Sequence, residues 1–100
     1  MEERLPNIHP GEVLEEEFLK PLHISVSRLA QAIHVPPRRI AELIEQKRRI
    51  TPNVALRLAT CFGTSPQFWL GLQMDYDLEE TQRRFEKQLA RIDRLQSVIG

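Results

Sequence analysis

Arg38 and Arg39 stand side by side, Glu42 follows one helical turn later, and Lys47, Arg48 and Arg49 come shortly after. At the start of a helix, residues of these types have a specific use. An arginine there can make bidentate contact with guanine in a major groove, and Glu42 can accept from the amino group of cytosine. Lys47, Arg48 and Arg49 suit phosphate contacts, which fix register without reading bases. Ser25 and Ser27 open the preceding segment, where hydroxyls and helix-terminal N–H groups can meet a further phosphate.

The charge distribution agrees with a polyanion partner. The chain has 100 residues, with 14 basic and 14 acidic side chains and a formal net charge of zero. A uniformly basic binder of the histone type is therefore excluded. Residues 1–24 carry six acids against Arg4 and Lys20, net −4; residues 25–60 carry seven bases against Glu42 and Glu45, net +5; residues 61–100 are near balance at −1. A basic middle of this kind can neutralise phosphates and release their counterions. The competing reading is a solvated helical surface, which is what charge runs commonly are.

Other chemistry finds little footing. His9, His23 and His34 are the only histidines, none spaced i, i+4, and Cys61 is the lone cysteine, so neither a metal site nor an internal disulfide is expected. No cofactor is expected either, since no glycine-rich phosphate loop is present. Glu15, Glu16 and Glu17 point in different directions on a helix and read as a solvated face. Cys61, beside Phe62 on an apolar stripe, reads as a buried core residue. Nothing assembles into a catalytic constellation, so an enzyme is not expected. No apolar run approaches the ~20 residues that span a bilayer, and no apolar stretch follows Met-Glu-Glu-Arg, so neither a membrane partner nor a secretory signal is expected. A cytoplasmic protein is the expectation.

The elements that must position these residues are helices. Pro10-Gly11 precedes an amphipathic segment with Val13, Leu14, Phe18 and Leu19, which Pro21 should end. Ser25 is a good N-cap for a second helix with Leu29, Ala30 and Ile33 on its buried stripe. His34-Val35-Pro36-Pro37 cannot continue that helix, but Pro37 can open a third, carrying Ile40, Leu43 and Ile44 on one face and stopping near Gln46. Thr51-Pro52 and Ser65-Pro66 are two more start signals. Between them Ala55, Leu58, Ala59 and Phe62 form a stripe closed by Gly63. Phe68, Trp69 and Leu72 follow, with Trp69 either in the core or partly exposed at an interface. Asp77, three residues before Glu80, is close to a capping box and should start a sixth helix of ~20 residues, with Leu78, Phe85, Leu89, Ile92, Leu95 and Ile99 on a narrow apolar stripe. That stripe needs cover from its own bundle or from a second copy of the chain. The division is thus residues 1–76 as one domain and residues 77–100 as a C-terminal amphipathic helix for dimerisation or partner docking.

Residues 26–45 have the layout of a helix-turn-helix. Ala30 is small enough for the two helices to approach, and Ile40 and Leu43 anchor the second helix so that its N-terminal face stays free. Two amphipathic helices joined by a short turn are common in any all-α protein, and the basic block is what favours DNA.

The pattern goes further than the generic motif. Ile8-His9-Pro10-Gly11-Glu12-Val13-Leu14, Glu16-Glu17-Phe18-Leu19 and Pro21-Leu22 resemble the opening of HigA-type antitoxins, within the Cro-repressor-like helix-turn-helix proteins. So do Arg48-Arg49-Ile50-Thr51-Pro52 with Ala55-Leu56-Arg57-Leu58-Ala59, and Phe62-Gly63-Thr64-Ser65 with Phe68-Trp69-Leu70, Leu72-Gln73 and Tyr76-Asp77-Leu78. The similarity covers about residues 8–80 in order and spacing. It implies an all-α fold, a five-helix lambda-repressor-like bundle plus the long C-terminal helix. It also implies a homodimer that represses its own operon at operator DNA, and a HigB-like toxin partner similar to the ribosome-dependent mRNA endonucleases of the RelE superfamily. A stand-alone repressor-like regulator without a toxin is the alternative.

Two positions depart from the family's pattern. His34 replaces a common turn glycine, and Glu45-Gln46 replaces a common Asn-Gly at the end of the recognition helix. A non-glycine residue at positive φ costs ~1 kcal/mol or more, and histidine is among the better tolerated. The bundle should survive both changes, while Glu45 would repel phosphates if it faces them.

Overall fold

Among the described residues, four of the six helices begin with a side chain that takes up one of their own orphan N–H groups. Ser25 Oγ accepts from the Arg28 N–H at 3.0 Å, Thr51 Oγ1 from Val54 at 3.3 Å, Ser65 Oγ from Phe68 at 3.0 Å, and His9 Nδ1 from Gly11 at 2.9 Å. Proline follows the cap directly at Pro10, Pro52 and Pro66, and Pro37 opens its helix without a side-chain cap. These residues belong to a computed structural model that describes residues 6–95.

The first helix, α1, is α-helical over Pro10–Val13, widens to π-type turns over Leu14–Leu19 and returns to α over Lys20–Leu22. Pro21 was expected to end it but lies inside its last turn. Proline's ring crowds the carbonyl four residues back, and the helix just before it is widened, with the Lys20 N–H bonded to the Glu15 carbonyl five residues away. The stop comes at His23, in the left-handed region at φ 57°. The remaining helices are α2 (Val26–Ile33), α3 (Pro37–Ile44), α4 (Pro52–Phe62), α5 (Pro66–Arg84) and α6 (Glu86–Ala90). The described residues form no strand, and the fold is an all-α helix-turn-helix bundle with a long C-terminal helix.

The core joins the stripes that the periodicity marked: Leu14 and Leu19 from α1, Leu29, Ala30 and Ile33 from α2, Ile40 and Leu43 from α3, Val54, Ala55, Leu58 and Ala59 from α4, and Trp69 from α5. Trp69 is fully buried, with its indole N–H donating to Thr64 Oγ1 at 2.7 Å, Phe18 tilted against it and Phe68 edge-on, both at ring-centroid distances of 5.0 Å. Gly11 is required by close approach: a Cβ added there would lie 1.9 Å from the Leu43 carbonyl oxygen. The close approach of α1 to α3 thus rests on a missing side chain.

Two further expectations are corrected. The helix expected to start at Asp77 is the second half of α5, since no glycine or proline interrupts residues 72–84. Its apolar residues remain uncovered by the bundle: Met74 and Leu78 are 62% and 61% exposed, and Phe85, Leu89, Ile92 and Leu95 are exposed as well. Helix ends at Ala90, short of Ile92 and Leu95, and Ile99 lies outside the described residues. Cys61 is exposed rather than buried, because it sits about 90° around α4 from the centre of the stripe made by Val54, Ala55, Leu58 and Ala59. Among the described residues no helix is long and apolar enough to cross a membrane.

Candidate nucleic-acid interface

The turn between α2 and α3 spans His34 to Pro36. His34 takes the left-handed conformation at φ 60°, and the Val35 N–H returns to the Ala30 carbonyl at 3.0 Å, which closes the turn. With Ile40 and Leu43 buried beneath it, α3 turns its N-terminal end outward. Pro37 and Arg38 are exposed there and Arg39 is half-buried.

The segment after α3 is folded back beside it. Gln46 sits at φ 64° and the Lys47 N–H bonds to the Glu42 carbonyl at 2.8 Å. This reversal falls at Glu45-Gln46, directly after α3. It brings Arg48 over the helix it has just left. Pro36, Arg38, Arg39, Glu42 and Arg48 line one open cleft, and Arg39, Lys47, Arg48, Arg49 and Thr51 line a second. Arg39 and Arg48 belong to both, so the two basic groups form one continuous surface. Ser25 and Ser27, exposed at the start of α2, line neither cleft, and the Ser25 oxygen already serves as the helix cap.

The charges on this surface are held by internal pairs. Glu42 accepts from Arg38 Nε at 3.2 Å and from Arg48 Nε at 2.8 Å, and these bonds, Arg48's first, hold its carboxyl below the usual carboxylate range. Glu45 pairs with Lys47 at 3.3 Å, so the carboxylate that stood to repel phosphates has a cation beside it. Arg57, counted in the basic block, works inward instead: its Nη1 donates to the Ile33 carbonyl at the end of α2.

Arg49 joins a network that local pattern did not reveal. Its Nη2 meets Asp77 Oδ2 at 2.7 Å, Gln73 Nε2 donates to the other Asp77 oxygen at 3.0 Å, and the Ile50 N–H donates to Gln73 Oε1 at 2.7 Å. Chiefly through the Arg49 bond, Asp77 too is held below its ordinary range. Gln73 and Asp77, on consecutive turns of α5, therefore moor the basic segment to the long helix. The pairs are 23 to 28 residues apart in the chain, and no local signal marks them. Among the described residues, no cluster of three or more His, Cys, Asp or Glu could hold a metal ion.

This arrangement has relatives. The helix-turn-helix family signature matches residues 16–69. Virulence-associated protein I of Dichelobacter nodosus is 51% identical over 75 residues, covering 75% of this chain and 69% of that protein. Antitoxin HigA-1 of Vibrio cholerae is 37% identical over 78 residues, covering 78% of this chain and 73% of that one. Among solved structures, Pseudomonas aeruginosa antitoxin HigA with the higBA promoter is similar at a TM-score of 0.86 and 37% identity, covering 91% of this chain and all of that one.

Proposed function

Because the chain belongs to the helix-turn-helix family, among its HigA-type antitoxins, we propose that it is the antitoxin of a toxin–antitoxin pair and the repressor of its own operon. The observation that carries the DNA half is the single basic surface formed by the outward end of α3 and the folded-back segment 47–51. In this reading Arg38 and Arg39 enter the major groove, with Pro37 and Glu42 beside them. Lys47, Arg48 and Arg49 meet phosphates on one side, and Ser25 and Ser27 on the other.

The uncovered apolar face of α5 supports a homodimer. Leu70, Met74 and Leu78 lie on consecutive turns and, with Ile50 and Pro52, line an apolar groove that the bundle leaves open. A second copy that covers it would place two recognition helices on one duplex, one helical turn apart. The toxin partner would be a HigB-like mRNA endonuclease. The similarity to a HigA bound at a higBA promoter supports this, and residues 77–100 are available for dimerisation or for the toxin. The role is one of binding rather than catalysis and belongs in the cytoplasm, where ribosome and operon are.

Co-expression with the neighbouring open reading frame tests the proposal. A stoichiometric complex, together with toxicity of the neighbour alone, is the expected result. A lone dimer beside a harmless neighbour would instead make the chain a stand-alone repressor and leave the DNA-binding surface as described.

A further inference from the structure

Glu42 is an acid in the middle of the surface meant for a polyanion. Its side chain is only 24% exposed, and the carboxylate lies between two guanidinium groups that approach from different elements. Arg38, one turn earlier on α3, donates Nε to Oε2 at 3.2 Å. Arg48, from the folded-back segment, grips Oε1 with Nε and Nη2, both at 2.8 Å. Each oxygen thus has its own arginine, and a cytosine amino group would have to share them.

The way the arginines are held matters as much as the pairing. A guanidinium presents five N–H donors in a rigid fork. Arg38 is tied at Nε alone, which leaves its terminal Nη pair, the edge that can grip guanine O6 and N7, free on a side chain that is 87% exposed. Arg48 is tied along its Nε–Nη2 edge and keeps Nη1 for a phosphate. The carboxylate also cancels one of the two positive charges, so the trio carries +1 instead of +2. Phosphate attraction scales with the cations available to displace counterions, and it acts on every duplex alike.

We propose that Glu42 is a positioning and specificity-determining residue: it aims Arg38 and Arg48 at the DNA by their inner nitrogens and weakens sequence-independent binding by one charge. This rests on the DNA-binding reading above. It differs from a direct contact between Glu42 and a base, since here Glu42 acts through two arginines.

The test compares a duplex selected by the wild-type protein from a random pool with unselected pool DNA, at several salt concentrations. In Glu42→Gln the negative charge is lost while the shape is kept. Affinity for unselected DNA should rise about three- to tenfold with a steeper salt slope, and affinity for the selected duplex should fall. The ratio of the two drops by on the order of tenfold or more. Arg48→Ala, made alone and with Glu42→Gln, completes a double-mutant cycle in which the two effects are non-additive. An unchanged ratio, or strictly additive losses confined to one base pair, would overturn the proposal in favour of direct base contact or no role. Failure of the wild type to enrich any duplex would instead remove the DNA-binding reading itself.

Discussion

The two candidate surfaces are built on opposite terms. On the edge formed by α3 and residues 47–51, nearly every charge already has a partner inside the chain: Arg38 and Arg48 at Glu42, Lys47 at Glu45, Arg49 at Asp77. On the outer face of α5, Met74 and Leu78 have no apolar cover. Paired charges remain solvated and cost little while they wait for a ligand. Exposed apolar area does not, and contiguous patches of it mark interaction sites. On the proposed reading, the first surface suits a partner that comes and goes and the second suits one that stays. They meet at Arg49 and Asp77, which sit at the rim of the apolar groove as well as in the network that moors the basic segment.

The contrast breaks most visibly if the apolar face needs no partner. Leu78→Glu would set a charge into the interface of a dimer, where burying it unpaired is costly. Its dissociation constant should rise by about 100-fold or more, equivalent to about 2.7 kcal/mol. Operator affinity should fall with it, since each half-site alone supplies too little. Folding should be nearly untouched, within about 0.5 kcal/mol, as for other exposed positions. Sedimentation and thermal melting of the variant read both quantities, and a variant that remains dimeric would remove α5 from the interface.

The basic edge divides internally. Arg38→Ala should cost about 1–3 kcal/mol on a selected duplex and little on random DNA. Arg49→Ala should weaken both about equally and lower the salt slope by about one. Binding titrations against salt separate the two patterns. Equal losses on both DNAs for Arg38→Ala would mean that α3 reads no base at that position.

Much of this was legible along the chain, for identifiable reasons. Ser25, Thr51 and Ser65 are capping residues followed by helix-compatible sequence, and capping is decided within three residues. The turn from His34 to Pro36 was marked by its prolines, and the position of Arg38 and Arg39 at the outward start of α3 by their place after it. What escaped was decided at a distance or by an omission. Gln73 and Asp77 reach residues more than twenty positions away. Asp77 has the look of a cap, yet nothing before it breaks the helix, so α5 runs through. Cys61 borders an apolar stripe without belonging to it. The positive φ of Gln46 could be anticipated only from the family's Asn-Gly at that place.

That residue offers a smaller test of how the edge is shaped. Gln46 holds a left-handed conformation without glycine's freedom, so Gln46→Gly should stabilise the fold by about 1 kcal/mol. In a domain of this size that is a rise in Tm of about 4–8 °C. A fall in Tm would mean that the glutamine side chain makes up for its backbone strain.

The smallest effect concerns the cap of α1. His9 caps α1 through Nδ1, packs edge-on against Tyr76 with ring centroids 4.8 Å apart, and has its pKa lowered by burial, with the charge of Asp77 opposing. Between its folded value and the ordinary 6.5 the unfolded chain binds more protons than the folded one. The stability this histidine contributes is therefore whole above 6.5, declines as pH falls through that window, and levels off below the folded value. His9→Asn keeps an acceptor for the Gly11 N–H and has nothing to titrate, so its melting temperature should change less between about pH 7.5 and about pH 5. Parallel curves for the two proteins would show that the cap tolerates protonation. A converging pair would place a proton-sensitive contact against the same turns of α5 that hold Arg49 on one side and the open apolar groove on the other.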